Sequence, residues 1–234
     1  MANSYFKFKQ FCIRQNNCAM KVGTDGVLLG AWVNVENAER ILDIGSGTGL
    51  IALMLAQRSQ ADIAALEIEE SASEQIIENV YNSPWEDRIQ VIAVDFKLYN
   101  SNRLFDVIVS NPPYFSDSLI SPDKERTLAR HNSSLTYHEL FLGVSLLLSS
   151  NGEFSLIIPF SVSEDVKIIA NKFHLFPSRQ LNIITSLGKS PKRSLLAFSF
   201  EETTYKIDEM LIEKERHTYS EEYISLTKDY YLNM

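Results

Sequence analysis

The stretch Leu42-Asp43-Ile44-Gly45-Ser46-Gly47-Thr48-Gly49 decides the fold. Arg40 to Ile44 is a short apolar run closed by glycines, which reads as a buried strand. Thr48 to Arg58 carries Leu50, Ile51, Leu53, Met54 and Leu55 and reads as a helix. A strand that turns through glycines into a helix opens an α/β unit. The glycines let the chain turn tightly and let a ligand approach the backbone. Such a ligand sits at the carboxyl ends of the strands.

Outward from this turn, strand-like and helix-like segments alternate. Ile63 to Leu66, Ile89 to Val94, Phe105 to Val109 and Phe154 to Ile158 read as strands. Ala72, Ile76 and Val80 recur every four residues between Glu69 and Asn82, one face of a helix. Thr136 to Leu148 reads as an apolar helix ended by the turn chemistry of Ser149-Ser150-Asn151-Gly152. Ser161 to Phe173 reads as a helix capped by Ser161 or Ser163, with Glu164 and Asp165 in its first turn. Leu181 to Thr185 and Leu195 to Phe200 are strands whose linking loop is too short for a crossover helix, so they should be antiparallel. The expected fold is a doubly wound α/β sheet of seven strands, Rossmann-like, with an antiparallel last strand. Residues 1–22 read as a short extension, 23–201 as the main domain, and 202–234 as a charged helical cap. Phe6, Phe8 and Phe11 suggest a short strand pair with Lys7, Lys9 and Arg14 beside it.

The 234 residues, 45% hydrophobic, suffice for one large domain with a substantial core. Two cysteines, Cys12 and Cys18, fit a reducing compartment. The four histidines show no ligand spacing, so no metal is expected. The start lacks an apolar h-region, and the most apolar run, Leu140 to Leu148, is too short to span a membrane. A cytoplasmic protein is expected, with no membrane role and no obligate protein partner evident. The net charge of -8 argues mildly against a nucleic-acid partner, although a basic face can coexist with an acidic whole.

The chemistry begins at the glycine turn. Its spacing departs from the dinucleotide pattern: the third glycine comes one residue early, and Asp43 precedes Gly45 by two places. S-adenosylmethionine carries an amino-acid tail and no pyrophosphate, so a turn with Gly45, Gly47 and a nearby carboxylate suits it. A nicotinamide enzyme remains the alternative on this segment alone. Glu67, ending the second strand, could accept hydrogen bonds from both ribose hydroxyls. Asp95-Phe96 ends the third strand. There a carboxylate could take an adenine amino group and a ring could stack on its face; a plain turn or cap role is the rival reading of Asp95.

Asn111-Pro112-Pro113-Tyr114 follows the fourth strand directly. Two prolines fix two φ angles and remove two backbone donors. What remains is a rigid acceptor array, the Asn111 side-chain oxygen and the Pro112 carbonyl. It matches an NH2 group on a planar system, whose delocalised lone pair makes a poor nucleophile. Two hydrogen bonds return electron density to that nitrogen and aim its lone pair. Tyr114 could stack on a base turned out of its helix or loop.

Together these residues resemble the class I methyltransferases with an N-P-P-[YF] motif, and most of all the tRNA1(Val) adenine-37 N6-methyltransferase family. The resemblance rests on the Leu42 and Asn111 motifs, on Phe6-Lys7-Phe8-Lys9-Gln10-Phe11, and on the stretch from Met20 to Trp32. Ala129-Arg130-His131 and Pro191-Lys192-Arg193-Ser194 add to it. It implies S-adenosylmethionine as cofactor, with Gly23, Thr24 and Asp25 near its methionine end and Asp43, Gly45, Gly47, Glu67, Asp95, Phe96 and Asn111 holding the rest. It implies a tRNA anticodon-loop adenine as substrate, held by Asn111, Pro112 and Tyr114. Arg130, Lys189, Lys192 and Arg193 could bind RNA phosphates. Three other readings stay open. A protein-glutamine methyltransferase would want an N-terminal helical domain. A ribosomal guanine-N2 methyltransferase would prefer phenylalanine at position 114. A non-catalytic RNA-binding module would not need Asp43, Glu67 and Asn111.

Overall fold

The computed structural model describes residues 4–16, 18, 20–113 and 135–234. In chain order the elements are β1 (Tyr5–Lys7), β2 (Cys12–Arg14), α1 (Thr24–Trp32), β3 (Arg40–Ile44), α2 (Leu50–Arg58), β4 (Asp62–Glu67), α3 (Glu70–Tyr81), β5 (Ile89–Ala93) and β6 (Phe105–Ser110). Then come α4 (Tyr137–Leu147), β7 (Leu148–Pro159), α5 (Ser163–Asn171), β8 (Phe176–Ser186), β9 (Arg193–Ser199), β10 (Ile207–Glu215), β11 (Thr218–Tyr219) and α6 (Glu221–Thr227).

The main sheet has nine strands in the order β11-β10-β8-β9-β7-β6-β3-β4-β5. The seven from β8 to β5 are the seven that the hydrophobic runs foretell. β3 pairs in parallel with β4 on one side and with β6 on the other. The chain therefore runs outward from β3 and then returns to β3's free side, which opens a crevice at the carboxyl ends of β3 and β6. β9 is antiparallel to both β7 and β8, as the short connection requires.

Strand residues alternate between two cores. Ile41, Ile63, Ala65, Val107, Val109 and Ile157 face the cluster built with α1, α2 and α3. Leu42, Leu66, Ile108, Leu156 and Ile158 face the cluster built with α4 and α5. Burial on both faces explains why these strands read as continuous apolar runs.

Four local features differ from expectation. Helix α1 covers Thr24–Trp32, a stretch whose fold the sequence leaves open. It carries Gly26 and Gly30 because α2 lies hard against it. A Cβ on Gly30 would stand 2.8 Å from the Met54 sulfur. The segment 202–234 is not wholly helical: β10 adds a strand parallel to β8, and only Glu221–Thr227 is helix. Charge on Ile207–Glu215 hides a strand that lies near the sheet's edge with only Met210 fully buried. Ser149–Gly152 lies inside β7, as the irregularity between the pairs Phe105–Leu148 and Val107–Glu153. Gly152 is glycine there because a Cβ would come within 2.9 Å of the Asp106 carbonyl oxygen. Neither Ser161 nor Ser163 caps α5, whose N-cap position is Val162. The Ser163 hydroxyl instead donates to the Phe160 carbonyl at 2.8 Å.

The N-terminal hairpin and the C-terminal segment hold each other. Lys9 Nζ donates to the Lys228 and Met234 carbonyls, and Phe8 packs on Phe11 and Tyr231. Arg14 pairs with Glu78 at 2.8 Å. Two of the three N-terminal basic residues thus have partners within the chain.

Candidate active site

The turn after β3 is built as its glycines demand. Gly45, Gly47 and Gly49 take φ of 71°, 58° and 78°, a region L side chains rarely enter. Gly45 N and Ser46 N both donate to the Leu66 carbonyl, which ties the turn to the end of β4. A Cβ on Gly45 or Gly47 would meet nothing within 4 Å, so the turn faces open space.

That space is a cavity of about 560 Å³ at the carboxyl edge of β3, β4 and β6. Gly45, Gly47, Glu67, Asp95, Phe96, Asn111 and Pro112 line it. The geometry brings together seven of the residues that the sequence singles out. Its size suits a single small-molecule ligand.

Glu67 is buried, and both oxygens of its carboxylate are engaged. One oxygen accepts from Gly47 N at 2.8 Å; the other accepts from Ile68 N at 2.9 Å and Glu69 N at 3.1 Å. The side chain clamps the glycine turn to the turn that opens α3. Asp95 accepts from Lys97 N at 2.9 Å and caps a short helical turn, so the cap reading holds for one of its oxygens. Phe96 lies beneath it against Gly143 of α4, where a Cβ would come within 2.5 Å of the ring. That fit fixes the ring as a wall of the cavity.

Asn111 behaves differently. Its Oδ1 is buried and has no hydrogen-bond partner. An orphaned buried acceptor costs about 1–3 kcal/mol and calls for an explanation. The cavity supplies one, since Asn111 lines it. Ser110, just before, is held by its hydroxyl to the Ile44 carbonyl at 3.0 Å, which locks the end of β6 to the end of β3.

Asp43 lies fully buried, and neither of its oxygens has a partner. Burial pushes its pKa up to about 7; the Ser46 hydroxyl and Ala52 amide, close by but outside hydrogen-bond geometry to the carboxyl, oppose this, and the Glu67 carboxylate adds to it. It is not a wall of the cavity and sits behind the turn it precedes.

The remaining expected residues fall elsewhere. Gly23, Thr24 and Asp25 start α1 and do not line the cavity. Asp25 pairs with Arg193 across 2.9 Å, so Arg193 braces α1 against β9. Lys189 and Lys192 are exposed on the β8–β9 hairpin. Tyr114 and Arg130 lie outside the described residues. The sequence reading missed Cys18, Met20 and Ile68, which also line the cavity. The Cys18 thiol donates to the Gly47 carbonyl at 3.3 Å, and burial raises its pKa. No pattern flags Cys18, because folding alone brings it to the turn. Among the described residues there is no cluster that could hold a metal ion, and no helix is long and apolar enough to cross a membrane.

Comparison with known proteins agrees with this geometry. The family model described as the methyltransferase small domain matches residues 18–158. A Bacteroides thetaiotaomicron protein named tRNA1(Val) (adenine(37)-N6)-methyltransferase is 57% identical, with 100% of each chain covered. A Parabacteroides distasonis protein of the same name is 46% identical, again over 100% of each chain. The chain belongs to this methyltransferase family. The fold recurs in a solved structure of a predicted O-methyltransferase from Agrobacterium tumefaciens, with a TM-score of 0.70 and 19% identity over 90% of this chain and 100% of that one. It recurs also in a glycopeptide N-methyltransferase solved with S-adenosyl-L-methionine, with a TM-score of 0.56 and 12% identity over 78% of this chain and 90% of that one.

Proposed function

We propose that this methyltransferase transfers a methyl group from S-adenosylmethionine to N6 of an adenine in the anticodon loop of a tRNA, position 37 of tRNA1(Val), in the cytoplasm. The observation that carries the reading is the buried, partnerless Oδ1 of Asn111 in the wall of the cavity.

The residues present fit the cofactor. Open space stands over Gly45 and Gly47, where a Cβ would crowd a ligand against the backbone. Glu67 retains one acceptor position, on the oxygen that takes only the Gly47 amide, for a ribose hydroxyl beyond its three amide bonds. Asp95 Oδ2, which faces Lys97 Nζ at 3.6 Å, keeps acceptor capacity for an adenine amino group, and Phe96 offers an apolar wall. Gly23, Thr24 and Asp25, at the start of α1 and outside the cavity wall, stand near the methionine end in this reading. When bound, the cofactor supplies an electrophilic methyl group on a sulfonium.

The chain's own residues do the rest. The Asn111 Oδ1 and the Pro112 carbonyl accept the two hydrogens of the exocyclic amine. This restores electron density to the nitrogen and turns its lone pair toward the methyl group. Tyr114 stacks on the adenine. With the methyl carbon passing from the sulfonium to the amine nitrogen, the extra proton would leave the product amine afterwards, so Asn111 and Pro112 would need to supply acceptors and no strong base. Positioning and fixed dipoles carry the catalysis. Lys189, Lys192 and Arg130 attract the RNA backbone, with Arg193 contributing through its brace to α1.

The full-length relatives named for tRNA favour adenine over a protein glutamine or a ribosomal guanine. Transfer of labelled methyl into total tRNA, rRNA and protein from cells lacking the enzyme tests this. N6-methyladenosine in tRNA is expected; label in glutamine or in guanine N2 would replace the reading with a rival.

A further inference from the structure

Phe160 is a large aromatic that the core does not absorb. It follows β7 immediately and keeps 38% of its surface exposed. Its backbone is fixed from two sides. Phe160 N donates to the Lys192 carbonyl at 3.1 Å, and the Ser163 hydroxyl donates to the Phe160 carbonyl at 2.8 Å. The ring is thus presented by a rigid turn.

Its place in the sheet relates it to Asn111. Ser110 of β6 pairs with Leu156 of β7. Asn111 is one residue beyond this pair and Phe160 four beyond it. The offset is about 10 Å along the strands and about one strand spacing, 4.8 Å, across. Phe160 therefore stands on the same edge of the sheet as Asn111, beyond the cavity wall. The β8–β9 hairpin rises beside it, because Pro159 pairs with Arg193. That hairpin carries exposed Lys189 and Lys192, and Lys192 N is tied to the Ile183 carbonyl at 2.8 Å. Of the two acidic neighbours in the first turn of α5, Glu164 is bound to Lys167 at 2.8 Å and Asp165 is exposed.

An exposed aromatic ring beside fixed cations is the arrangement that single-stranded nucleic acid uses, with bases on rings and phosphates on lysines. Drawing one adenine into the cavity breaks its stack with its neighbours. A neighbouring base then needs a new face. We propose that Phe160 provides it: the nucleotide next to the target adenine stacks on the Phe160 ring while its phosphates meet Lys189 and Lys192. Phe160 is then a substrate-positioning residue that helps select unpaired over duplex RNA. The inference rests on the RNA reading of the site.

The test is steady-state methylation of a tRNA transcript carrying the target adenine. Phe160→Ala and Phe160→Leu should each raise KM for RNA about tenfold or more, with kcat and cofactor affinity within about twofold. Phe160→Tyr should restore KM. A transcript made abasic at either neighbour of the target supplies the second arm. At one of the two positions, the abasic change should weaken the wild type as much as Phe160→Ala does, and should cost Phe160→Ala nothing more. Unchanged KM in Phe160→Ala, equal performance of Leu and Tyr, or additive losses at both positions would overturn the proposal. Wild-type methylation of the unaltered transcript separates the two failures. If it is absent, the RNA reading falls; if it is present and Phe160 has no effect, only this inference falls.

Discussion

Two side chains at the carboxyl edge of the sheet face the same cavity in opposite states. Glu67, at the end of β4, accepts three backbone amides and has partners at both oxygens within the chain. Asn111, after β6, has a buried oxygen that accepts nothing. The first organises the turn that a cofactor meets. The second is an acceptor held open against a desolvation cost. The contrast separates a binding framework from a reacting centre, and each half can be broken by itself.

The largest effect is expected at Asn111. Asn111→Ala should lower kcat about 10²–10³-fold, the size seen when a site loses one preorganised polar group. Cofactor affinity by calorimetry should stay within a few-fold. A near-normal kcat would remove the amine-acceptor role. Glu67→Ala should do the reverse. It should weaken cofactor binding about ten- to hundredfold and lower the melting midpoint, because three amides lose a charged acceptor and such bonds contribute about 1.5–3 kcal/mol each. A variant with normal affinity and midpoint would mean that the clamp is not needed.

Asp43 sharpens the framework half through pH. Its folded pKa of about 7 lies above the ordinary 3.8, so between these values the folded chain holds a proton that the unfolded chain has released. Stability from this group therefore falls as pH rises from about 4 to 7 and is level above that. Asp43→Asn should flatten this part of the ligand-free stability profile. An unchanged slope, read from melting midpoints across the range, would show that the carboxyl is charged in the fold.

The smallest effect is expected on the rim. Lys189→Ala with Lys192→Ala should weaken RNA binding and reduce the salt slope of log affinity by about two. An unaltered slope would take the hairpin out of the RNA surface. Arg193→Ala should behave differently, since its partner Asp25 ties it to α1. Its loss should appear in stability at least as much as in RNA affinity.

What the sequence reveals here follows from how local each signal is. β3, its glycine turn, α2 and the Asn111 strand end are contiguous, and apolar runs beside glycines and prolines mark them directly. The cavity wall was legible for the same reason, since the ends of parallel strands must meet at the switch point. Helix α1 was not, because Gly26 and Gly30 serve contact with α2, and its burial leaves no polar face to set a period. β10 was hidden for the opposite reason: Glu209, Glu213 and Lys214 suit a half-exposed strand near the sheet edge as well as a solvated helix. Arg193 reads as an RNA contact, and its bracing role is invisible in the sequence because its partner Asp25 lies far along the chain.

The central claim is that the Asn111 oxygen waits for the amino group of the target base. The direct test is a double-mutant cycle in binding, with S-adenosylhomocysteine present. RNA carrying adenine at the target position is compared with RNA carrying purine, which lacks the amino group, on wild type and on Asn111→Ala. The account predicts that the preference of wild type for adenine exceeds that of Asn111→Ala by about five- to tenfold, the size of one ordinary hydrogen bond, the Pro112 carbonyl sustaining what preference remains in the variant. An equal preference in both proteins would contradict it.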